Sequence, residues 1–231
     1  MELTGVRWLT FDCYGTLIDW ESGILGEVRP LLAARGIPAR DEEILARYAE
    51  FEAREERGPY KLYREVLRNV MAELGRVFDL RLHPAQLTTL GDSLGDWPAF
   101  AETPAALAAL QRRFRLAVIS NIDNDLFALT TPKLGVALDA TITAQQCRSY
   151  KPSLNNFRTA IGKLGVAPEE VVHVAESRYH DIAPARSLGI RSVWVNRRAG
   201  VPGASGGADA TPDLEVASLS ELAARFAPSK S

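Results

Sequence analysis

The sequence predicts an α/β fold in which a parallel sheet is flanked by helices and carries an all-helical insertion. Beyond residue 103, short apolar segments alternate with segments of helical periodicity, as in parallel sheets built with right-handed crossovers. Residues 20–95 instead place apolar side chains at three- and four-residue spacing and show little strand signal. We therefore expect the insertion to follow directly on the first strand.

The first predicted strand lies within residues 6–17, where β-branched, aromatic and aliphatic side chains form a run typical of a buried strand. Asp12 interrupts this run, and Gly15 follows within three residues, which indicates a tight turn where backbone N–H groups converge. Open α/β sheets bind their ligands just beyond the carboxyl ends of their strands. Asp12 is therefore the first candidate for chemistry.

The helical insertion is predicted over residues 19–96, which leaves residues 1–18 and 97–231 as the core domain. Four helices are expected in the insertion, the last over residues 84–94, because Pro84 suits a first helical turn. Its aromatic side chains are interpreted as bundle core in preference to substrate contacts; they are Tyr48, Phe51, Tyr60 and Tyr63.

Strands and helices alternate in the rest of the chain. Further strands are predicted over residues 115–119, 140–143, 171–175 and 191–195, with a last helix from residue 213 onward, a surface loop over residues 199–211 and a frayed tail over residues 228–231. Polar side chains follow these strands at one edge: Asp12, Ser120, Lys151 one loop later, and the segment from Glu176 to Asp181. A purely structural sheet has no reason to collect such groups, so this edge is the candidate active site.

Composition narrows the classes of function. The 231 residues carry a formal net charge of −2 with both signs interspersed, which argues against nucleic-acid binding. Cys13 and Cys147 are the only cysteines and lack metal-site spacing, so neither a disulfide framework nor a zinc site is expected. The chain has no basic leader and no apolar run of about 18 residues. We therefore expect a cytoplasmic protein without membrane contact that acts on a small-molecule substrate.

Four short motifs in a fixed order resemble the haloacid dehalogenase-like (HAD) superfamily. They are Phe11-Asp12-x-Tyr14-Gly15-Thr16-Leu17, Ser120-Asn121, Lys151-Pro152 and Ser177-x-x-x-Asp181. The resemblance spans nearly the whole chain. It implies a hydrolase with a Rossmann-like core, a helical cap inserted after the first motif, and a homodimer formed through the cap.

Tyr14 indicates which subfamily of the superfamily the chain resembles. Phosphatases of this superfamily carry a second aspartate at its position, two residues after the nucleophile, which protonates the leaving alkoxide. The form Asp-x-Tyr-Gly-Thr-Leu resembles instead the L-2-haloacid dehalogenases of type II. Halide is a weak base and needs no general acid, so the loss of the second aspartate is chemically coherent. The resemblance thus implies hydrolytic dehalogenation of short 2-haloalkanoic acids.

The resemblance also assigns catalytic roles. Asp12 is the nucleophile that displaces halide and forms an aspartyl ester. Lys151 pairs with this carboxylate and keeps it ionised, and Thr16 holds it from across the loop. Asp181 orients the lysine and the hydrolytic water. Ser177 opens the same motif and is counted with the catalytic set.

The substrate-binding groups are assigned in the same way. Ser120 and the backbone N–H groups of Cys13 and Tyr14 resemble the carboxylate-binding groups of the family, and Asn121 resembles the residue that contacts the halide. His180 stands where dehalogenases often carry an aromatic side chain against the substrate, an assignment that competes with a solvated helix start. Arg178, two residues earlier, is counted with the substrate-binding set. His173 lies in the middle of a predicted strand and is expected in the core. The cap arginine that holds the halide in the family is not placed, with Arg47 and Arg54 both on predicted helices.

The fourth motif departs from the dehalogenase pattern, because Glu176 and Arg178 stand in place of Ser-x-Asn. Glu176 resembles the acidic residue of the phosphatase motif Gly-Asp-Ser, so Asp12, Glu176 and Asp181 form a candidate Mg²⁺ set. Three carboxylates in one pocket need Arg178, a cation or a shared proton to offset their charge. The favoured hypothesis is a dehalogenase without metal or other cofactor. A Mg²⁺-dependent phosphatase of a small metabolite is the alternative, and a non-catalytic descendant is a third class.

Overall fold

The structure, a computed structural model, describes residues 1–197 and 209–226. Six strands occur among these residues, namely β1 Trp8–Phe11, β2 Arg115–Ser120, β3 Ala140–Thr143, β4 Val171–Ala175, β5 Arg191–Val195 and β6 Leu214–Val216. They form one sheet in the order β3-β2-β1-β4-β5-β6, and every neighbouring pair is parallel. The predicted α/β class with a parallel sheet is confirmed.

The first strand, β1, lies at the centre of the sheet between β2 and β4. Leu9 and Phe11 belong to one hydrophobic cluster and Trp8 belongs to another, because successive side chains of a strand face opposite sides of the sheet. All residues of β1 are buried, as expected for a strand that is covered on both faces. Asp12 therefore emerges in the middle of the carboxyl edge.

The helical insertion, whose proposed bounds are residues 19–96, contains helices and no strand, and the structure describes all of it. Its helices are α1 Trp20–Ala33, α2 Asp41–Glu56, α3 Tyr63–Val77 and α4 Thr89–Asp92. The prediction of one helix over residues 84–94 is wrong, since the short α4 is flanked by two 3₁₀ turns. Thr88 and Thr89 donate hydrogen bonds to the carbonyls of Ala85 and Gln86, and such bonds compete with regular helix.

Buried apolar side chains of the insertion belong to the same hydrophobic cluster as those of the core domain. Ile44 and Phe51 of α2 and Leu67 and Leu74 of α3 are buried in the same hydrophobic cluster that contains Phe11 of β1. Burial of apolar area provides the driving force for this packing. The insertion is therefore joined to the core domain by a continuous hydrophobic cluster as well as by covalent connection.

The remaining helices belong to the core domain: α5 Thr103–Gln111, α6 Asn124–Thr130, α7 Ala144–Cys147, α8 Leu154–Leu164, α9 Ala183–Ser187 and α10 Leu219–Phe226. In the part of the chain that the structure describes, no helix is both long and apolar enough to cross a membrane.

The end of the chain differs from the prediction. The helix expected from residue 213 onward begins only at Leu219, and Leu214–Val216 forms the edge strand β6 against β5. A strand of three residues gives too short an alternation to be told from the start of a helix. The predicted loop over residues 199–211 lies outside the described residues except for its last three, and the predicted tail lies wholly outside them.

Candidate active site

A cavity of about 800 Å³ lies between the carboxyl edge of the sheet and the helical insertion. One side, here called the core wall, is lined by Asp12, Tyr14, Ser120, Asn121, Lys151, Glu176, Ser177, His180 and Asp181. The opposite side, the insertion wall, is lined by Tyr48, Glu52, Glu56, Arg57 and Tyr63. Most of the residues predicted from the motifs therefore line one cavity. The side chains that close its opposite side come from α2, the residue after it and α3, and they were not predicted to line a cavity.

Asp12 is buried where β1 ends, and both of its carboxylate oxygens accept a hydrogen bond. Lys151 Nζ donates to Oδ1 at 2.8 Å, and the Thr16 hydroxyl donates to Oδ2 at 2.7 Å. The turn between Asp12 and Thr16 passes through Gly15, whose φ of +97° disfavours any side chain. Burial raises the pKa of Asp12 and so does the charge of Asp181, while Lys151 opposes the rise.

Lys151 holds the centre of the core wall and is only 2% exposed. Its ammonium donates to Asp12 Oδ1, to Asp181 Oδ1 at 2.7 Å and to the carbonyl of Ile119 at 2.9 Å, which uses all three of its protons. Burial alone would lower the pKa of Lys151, but the two carboxylates raise it above its ordinary value. The lysine is therefore a permanent cation bound between two anions.

Asp181 is bonded on its far side to His173. His173 Nε2 lies 2.9 Å from Asp181 Oδ1, and His173 Nδ1 lies 2.9 Å from the hydroxyl of Thr10. An ionised carboxylate accepts only, so Nε2 carries the proton and Nδ1 accepts from Thr10. Burial would raise the pKa of Asp181, but Lys151 and His173 together lower it to about 2.

The expected core position of His173 agrees with its full burial in β4, but its bond to Asp181 was missed. A signal existed in the sequence, since a parallel register of β1 and β4 pairs His173 with Thr10 among apolar neighbours. Two polar side chains facing each other inside a buried sheet need a partner. That partner is Asp181, and the sequence does not show that the turn after β4 brings its carboxylate back to His173.

Ser120 is the last residue of β2, and Asn121 follows it directly. The Ser120 hydroxyl is buried and has no hydrogen-bond partner among the described residues. Asn121 accepts from the backbone N–H of Lys151 at 2.7 Å and donates from Nδ2 to the Lys151 carbonyl at 3.1 Å. Asn121 Nδ2 also lies 3.2 Å from Glu56 Oε2 on the insertion wall. Asn121 thus ties the lysine loop to the insertion.

Cys13 and Tyr14 occupy the turn after Asp12. The Cys13 side chain is completely buried in the hydrophobic core, and burial raises the pKa of its thiol, so only its backbone can serve the site. The Tyr14 hydroxyl is bonded to the Thr130 hydroxyl at 2.8 Å, and its ring meets the edge of Trp97. The group two residues after Asp12 is therefore a neutral phenol held by Thr130.

Ser177 and His180 lie on the turn that carries Asp181. The Ser177 hydroxyl accepts from the backbone N–H of His180 at 3.1 Å and caps the π-helical turn Arg178–Ile182. Its Oγ also lies 3.1 Å from His180 Nδ1. Burial lowers the pKa of His180 to about 4, so its imidazole is a neutral part of the cavity lining. Ser177 acts on the site by holding this turn.

The prediction that Arg178 binds substrate or offsets the pocket charge is wrong. Its guanidinium donates twice to the carbonyl of Ala210, at 3.0 and 2.8 Å, and lies over the ring of Trp194. Arg178 is the first residue of the π-helical turn, and its side chain points toward β5 and away from the cavity. Lys151, and not Arg178, is the cation that pairs with Asp12 and Asp181.

The insertion wall contains a cluster of phenols and carboxyls. Both Tyr48 and Tyr63 donate hydrogen bonds to Glu52 Oε1, and the two hydroxyls lie 3.1 Å apart. Burial raises the pKa of Glu52, which the two tyrosines oppose, and burial raises the pKa of Glu56 strongly. The two tyrosines are buried in the bundle, as expected, and they also line the cavity, which the sequence analysis did not foresee.

The arginines of the insertion are placed differently from the two candidates. Arg47 pairs with exposed Glu50 and Arg54 pairs with Glu73. Neither arginine lines the cavity. Arg57, one residue past the end of α2, is the cationic side chain of the insertion wall.

The residues do not fit the three-carboxylate magnesium site that the phosphatase alternative requires. Asp12 and Asp181 each direct Oδ1 at the ammonium of Lys151, whose single positive charge offsets one of the two carboxylates. Within the described ranges, no group of three or more Asp, Glu, His or Cys side chains is arranged to hold a metal ion. Glu176 is thus not joined to Asp12 and Asp181 in such a group.

Comparisons with known proteins agree with this geometry. A family model described as a haloacid dehalogenase-like hydrolase matches residues 6–189. The chain is 27% identical over 206 residues to (S)-2-haloacid dehalogenase 1 of Pseudomonas sp. (strain CBS-3), covering 83% of this chain and 85% of that protein. It is 34% identical over 131 residues to the phosphoserine phosphatase of Thermus thermophilus, covering 54% of this chain and 50% of that protein.

A solved structure of similar fold is that of the L-2-haloacid dehalogenase from Xanthobacter autotrophicus with chloropropionic acid covalently bound. The TM-score is 0.80 at 21% identity, covering 95% of this chain and 97% of that one. Identity at this level speaks for the fold alone. It shows the Rossmann-like core with a helical cap that the four motifs predicted.

Proposed function

The chain belongs to the haloacid dehalogenase-like hydrolases, and we propose that it hydrolyses the carbon–halogen bond of 2-haloalkanoic acids through an ester of Asp12. The observation that carries this proposal is the pairing of Asp12 with Tyr14. Asp12 is held by Lys151 as a carboxylate, whereas Tyr14 is a phenol bonded to Thr130. Phosphatases of the superfamily place a carboxylic acid at the position of Tyr14. A halide leaves as a stable anion and does not need one.

In the first step Asp12 attacks C2 of the substrate from the side opposite the halogen. A carbon–oxygen bond forms, the carbon–halogen bond breaks, and its electron pair leaves with the halide. Lys151 and Thr16 fix the carboxylate from two directions, so the attacking oxygen is pre-oriented. The covalent adduct of chloropropionic acid in the Xanthobacter autotrophicus relative supports an ester intermediate.

In the second step water attacks the carbonyl carbon of the ester. One proton of the water ends on the departing 2-hydroxy acid, and the other is released when Asp12 ionises again. Asp181 Oδ2 is buried without a partner among the described residues and can accept a hydrogen bond from this water. Since its pKa is about 2, Asp181 is a weak base that orients the water and holds Lys151.

Two groups of the cavity suit the substrate carboxylate. The unpartnered Ser120 hydroxyl can donate to it from the core wall, and Arg57 is the cation of the insertion wall. A volume of about 800 Å³ is within the range of pockets that hold drug-sized ligands. We therefore extend the expected substrates from short 2-haloalkanoic acids to longer chains.

A halide-release assay tests the proposed function. The purified protein, in EDTA, is offered 2-chloropropionate, and Asp12→Asn is assayed beside it. We expect chloride release that needs no added metal and that Asp12→Asn abolishes. Activity on p-nitrophenyl phosphate alone, and only with added Mg²⁺, overturns the dehalogenase and favours the phosphatase that relatives such as the Thermus thermophilus protein suggest. Inactivity on every substrate favours the non-catalytic class.

Isotope labelling tests the ester intermediate. With enzyme in excess over substrate in H₂¹⁸O, the first 2-hydroxy acid formed takes its new oxygen from Asp12. We expect mass spectrometry to find ¹⁸O in the peptide that contains Asp12 and little in the product. Label that appears only in the product argues for direct attack of water on C2.

A further inference from the structure

Arg197 lies two residues beyond the end of β5, and its side chain is bonded to the turn that follows Asp12. Its Nη2 donates a hydrogen bond to the carbonyl of Thr16 at 2.7 Å, and its Nη1 donates to Glu102 Oε1 at 2.7 Å. Its Cζ lies 3.6 Å from the centroid of the Phe100 ring. The guanidinium therefore binds groups from two segments that are far apart in the sequence.

These two segments are the connections between the core domain and the insertion. Thr16 lies just before the insertion begins, and Phe100 and Glu102 lie just after it ends. The two backbones also pair directly, because the N–H of Phe100 donates to the carbonyl of Leu17 at 3.1 Å. Arg197 therefore holds both connections from the side of the core domain.

The ion pair between Arg197 and Glu102 is shielded from solvent, since the two side chains are only 14% and 23% exposed. Burial would raise the pKa of Glu102, but the hydrogen bond and charge of Arg197 lower it below its ordinary value. The planar guanidinium carries its N–H donors in fixed directions. With one arm held by Glu102 and its face by the Phe100 ring, the other arm points at the Thr16 carbonyl.

The side chain of Thr16 connects this bond to the nucleophile. Its hydroxyl accepts from the backbone N–H of Glu176 at 2.9 Å and donates to Asp12 Oδ2 at 2.7 Å. The carbonyl and the hydroxyl-bearing side chain are attached to the same Cα. Fixing the carbonyl of Thr16 therefore also fixes the place from which its hydroxyl reaches Asp12.

We propose that Arg197 is a positioning residue for the nucleophile, and that it acts on Asp12 through the carbonyl and hydroxyl of Thr16. The proposal rests on the proposed function, in which Asp12 attacks the substrate. Arg197 does not line the cavity, so it has no contact with substrate there. Its effect is on the orientation of the attacking oxygen, for which a displacement of about 1 Å can cost about 100-fold in rate.

A double-mutant cycle tests the route through Thr16. Halide release from 2-chloropropionate is followed in a single turnover, with enzyme in excess, for the wild type, Arg197→Met, Thr16→Val and the double variant. Arg113→Met is the matched control, because Arg113 also lies over a phenylalanine ring and donates to a backbone carbonyl, that of Phe226. Thermal unfolding reports whether each variant is folded.

We expect Arg197→Met to slow halide release by about 30-fold, and Arg197→Lys, which keeps a cation and a donor, by less than about 10-fold. In the Thr16→Val background the further loss from Arg197→Met is expected to be less than about threefold, because the hydroxyl that Arg197 positions is absent. The control is expected to stay within about twofold of the wild type. Losses that multiply independently make Arg197 a structural residue and overturn the proposal, while the dehalogenase function stands.

Hydrogen exchange gives a second measurement, which does not depend on the reaction. The amide of Glu176 is bonded to the Thr16 hydroxyl, whereas the amide of Asp12 is bonded to the carbonyl of Val174 at 3.0 Å. We expect Arg197→Met to speed exchange at the Glu176 amide by about 10-fold and to leave the Asp12 amide unchanged.

An unchanged rate at the Glu176 amide overturns the proposal. Should Arg197→Met not fold, Arg197→Lys takes its place in both measurements, with smaller changes in the same direction. A wild type that releases no halide refutes the dehalogenase function by itself, and exchange at the Glu176 amide then decides whether Arg197 holds Thr16.

Discussion

The two walls of the cavity bury ionisable groups in different ways. On the core wall, Asp12 and Asp181 are ionised and share the ammonium of Lys151, and His173 extends the chain of hydrogen bonds. On the insertion wall, burial raises the pKa of Glu52 and Glu56, and the hydrogen-bond partners are neutral phenols and an amide. The core wall pairs its buried carboxylates with a buried cation, whereas the carboxyls of the insertion wall have no such partner and burial raises their pKa.

This difference follows from the cost of removing a charge from water. A buried charge is tolerated when an opposite charge and hydrogen bonds compensate it, and otherwise the group changes its protonation state. The core wall has a buried cation in Lys151, whereas the cation of the insertion wall, Arg57, is exposed. A nucleophile needs the first arrangement, because it must be ionised before substrate arrives.

Replacing Lys151 is expected to have the largest effect, because it removes the charge balance of the core wall. Lys151→Met leaves Asp12 and Asp181 buried beside each other without a cation, which is expected to cost about 3–5 kcal/mol in the free energy of unfolding. Halide release is expected to fall below about 1% of the wild type. Urea unfolding and the halide assay measure the two effects.

The matched control is Lys163→Met, since Lys163 is exposed and donates to the Thr141 carbonyl and to Gln146. We expect a change within about 0.5 kcal/mol for this surface position. If Lys151→Met unfolds at the same urea concentration as the control, the core wall is not held together by charge pairing.

Replacing His173 removes the last member of the hydrogen-bonded series that runs from Asp12 through Lys151 and Asp181. His173→Leu removes a donor to Asp181 and is expected to cost about 1–3 kcal/mol at neutral pH. The lowered pKa of Asp181 means that its stabilising effect is complete above about pH 4 and is lost as the pH falls toward about 2. Without His173 the pKa of Asp181 rises, so acid unfolding is expected to begin at a higher pH.

Circular dichroism along an acid titration measures this shift. His173→Gln keeps an N–H donor within reach of Asp181 and is expected to unfold between the wild type and His173→Leu. Identical acid transitions in all three proteins mean that His173 does not stabilise the ionised form of Asp181.

Much of the core wall could be predicted from the sequence, and little of the insertion wall. Asp12 and Glu176 each follow a strand directly and Ser120 ends one, so a parallel sheet brings them to one edge without further information. Glu56 is one charged residue among many on α2, and helical periodicity gives the buried face of a helix but not what that face meets. The error at Arg178 has a related cause, because a motif fixes its position in sequence and not the direction of its side chain.

The two walls are linked by Asp123, which the sequence analysis did not single out. It follows β2 on the core side, and its carboxylate accepts hydrogen bonds at 2.9 Å from the backbone N–H groups of Tyr63 and Arg64 at the start of α3. A carboxylate at this place satisfies N–H groups that a helix start leaves without partners and interacts favourably with the helix dipole. Asp123 thus caps a helix of the insertion from the core domain.

Removing this cap is expected to loosen the insertion wall without touching the charge pairs. Asp123→Ala is expected to cost about 1–2 kcal/mol and to speed hydrogen exchange at the amides of Tyr63 and Arg64. Asp125→Ala is the control, because Asp125 pairs with Arg64 at the surface and such a pair contributes at most about 1 kcal/mol. Equal exchange rates in the two variants would show that Asp123 does not hold α3.

Replacing Glu52 is expected to have the smallest effect. It tests whether the stability that Glu52 contributes changes with pH in the direction opposite to that of Asp181. Because the pKa of Glu52 is raised by burial, the folded protein binds its proton more tightly than the unfolded chain does. Stability from this group is therefore complete below its ordinary pKa and is lost as the pH rises through the raised value, opposite to Asp181. Glu52→Gln cannot ionise, so its stability relative to the wild type is expected to improve by about 1 kcal/mol for each unit of pKa shift as the pH increases. Urea unfolding at several pH values measures the difference, and a difference independent of pH means that Glu52 is ionised like the core wall.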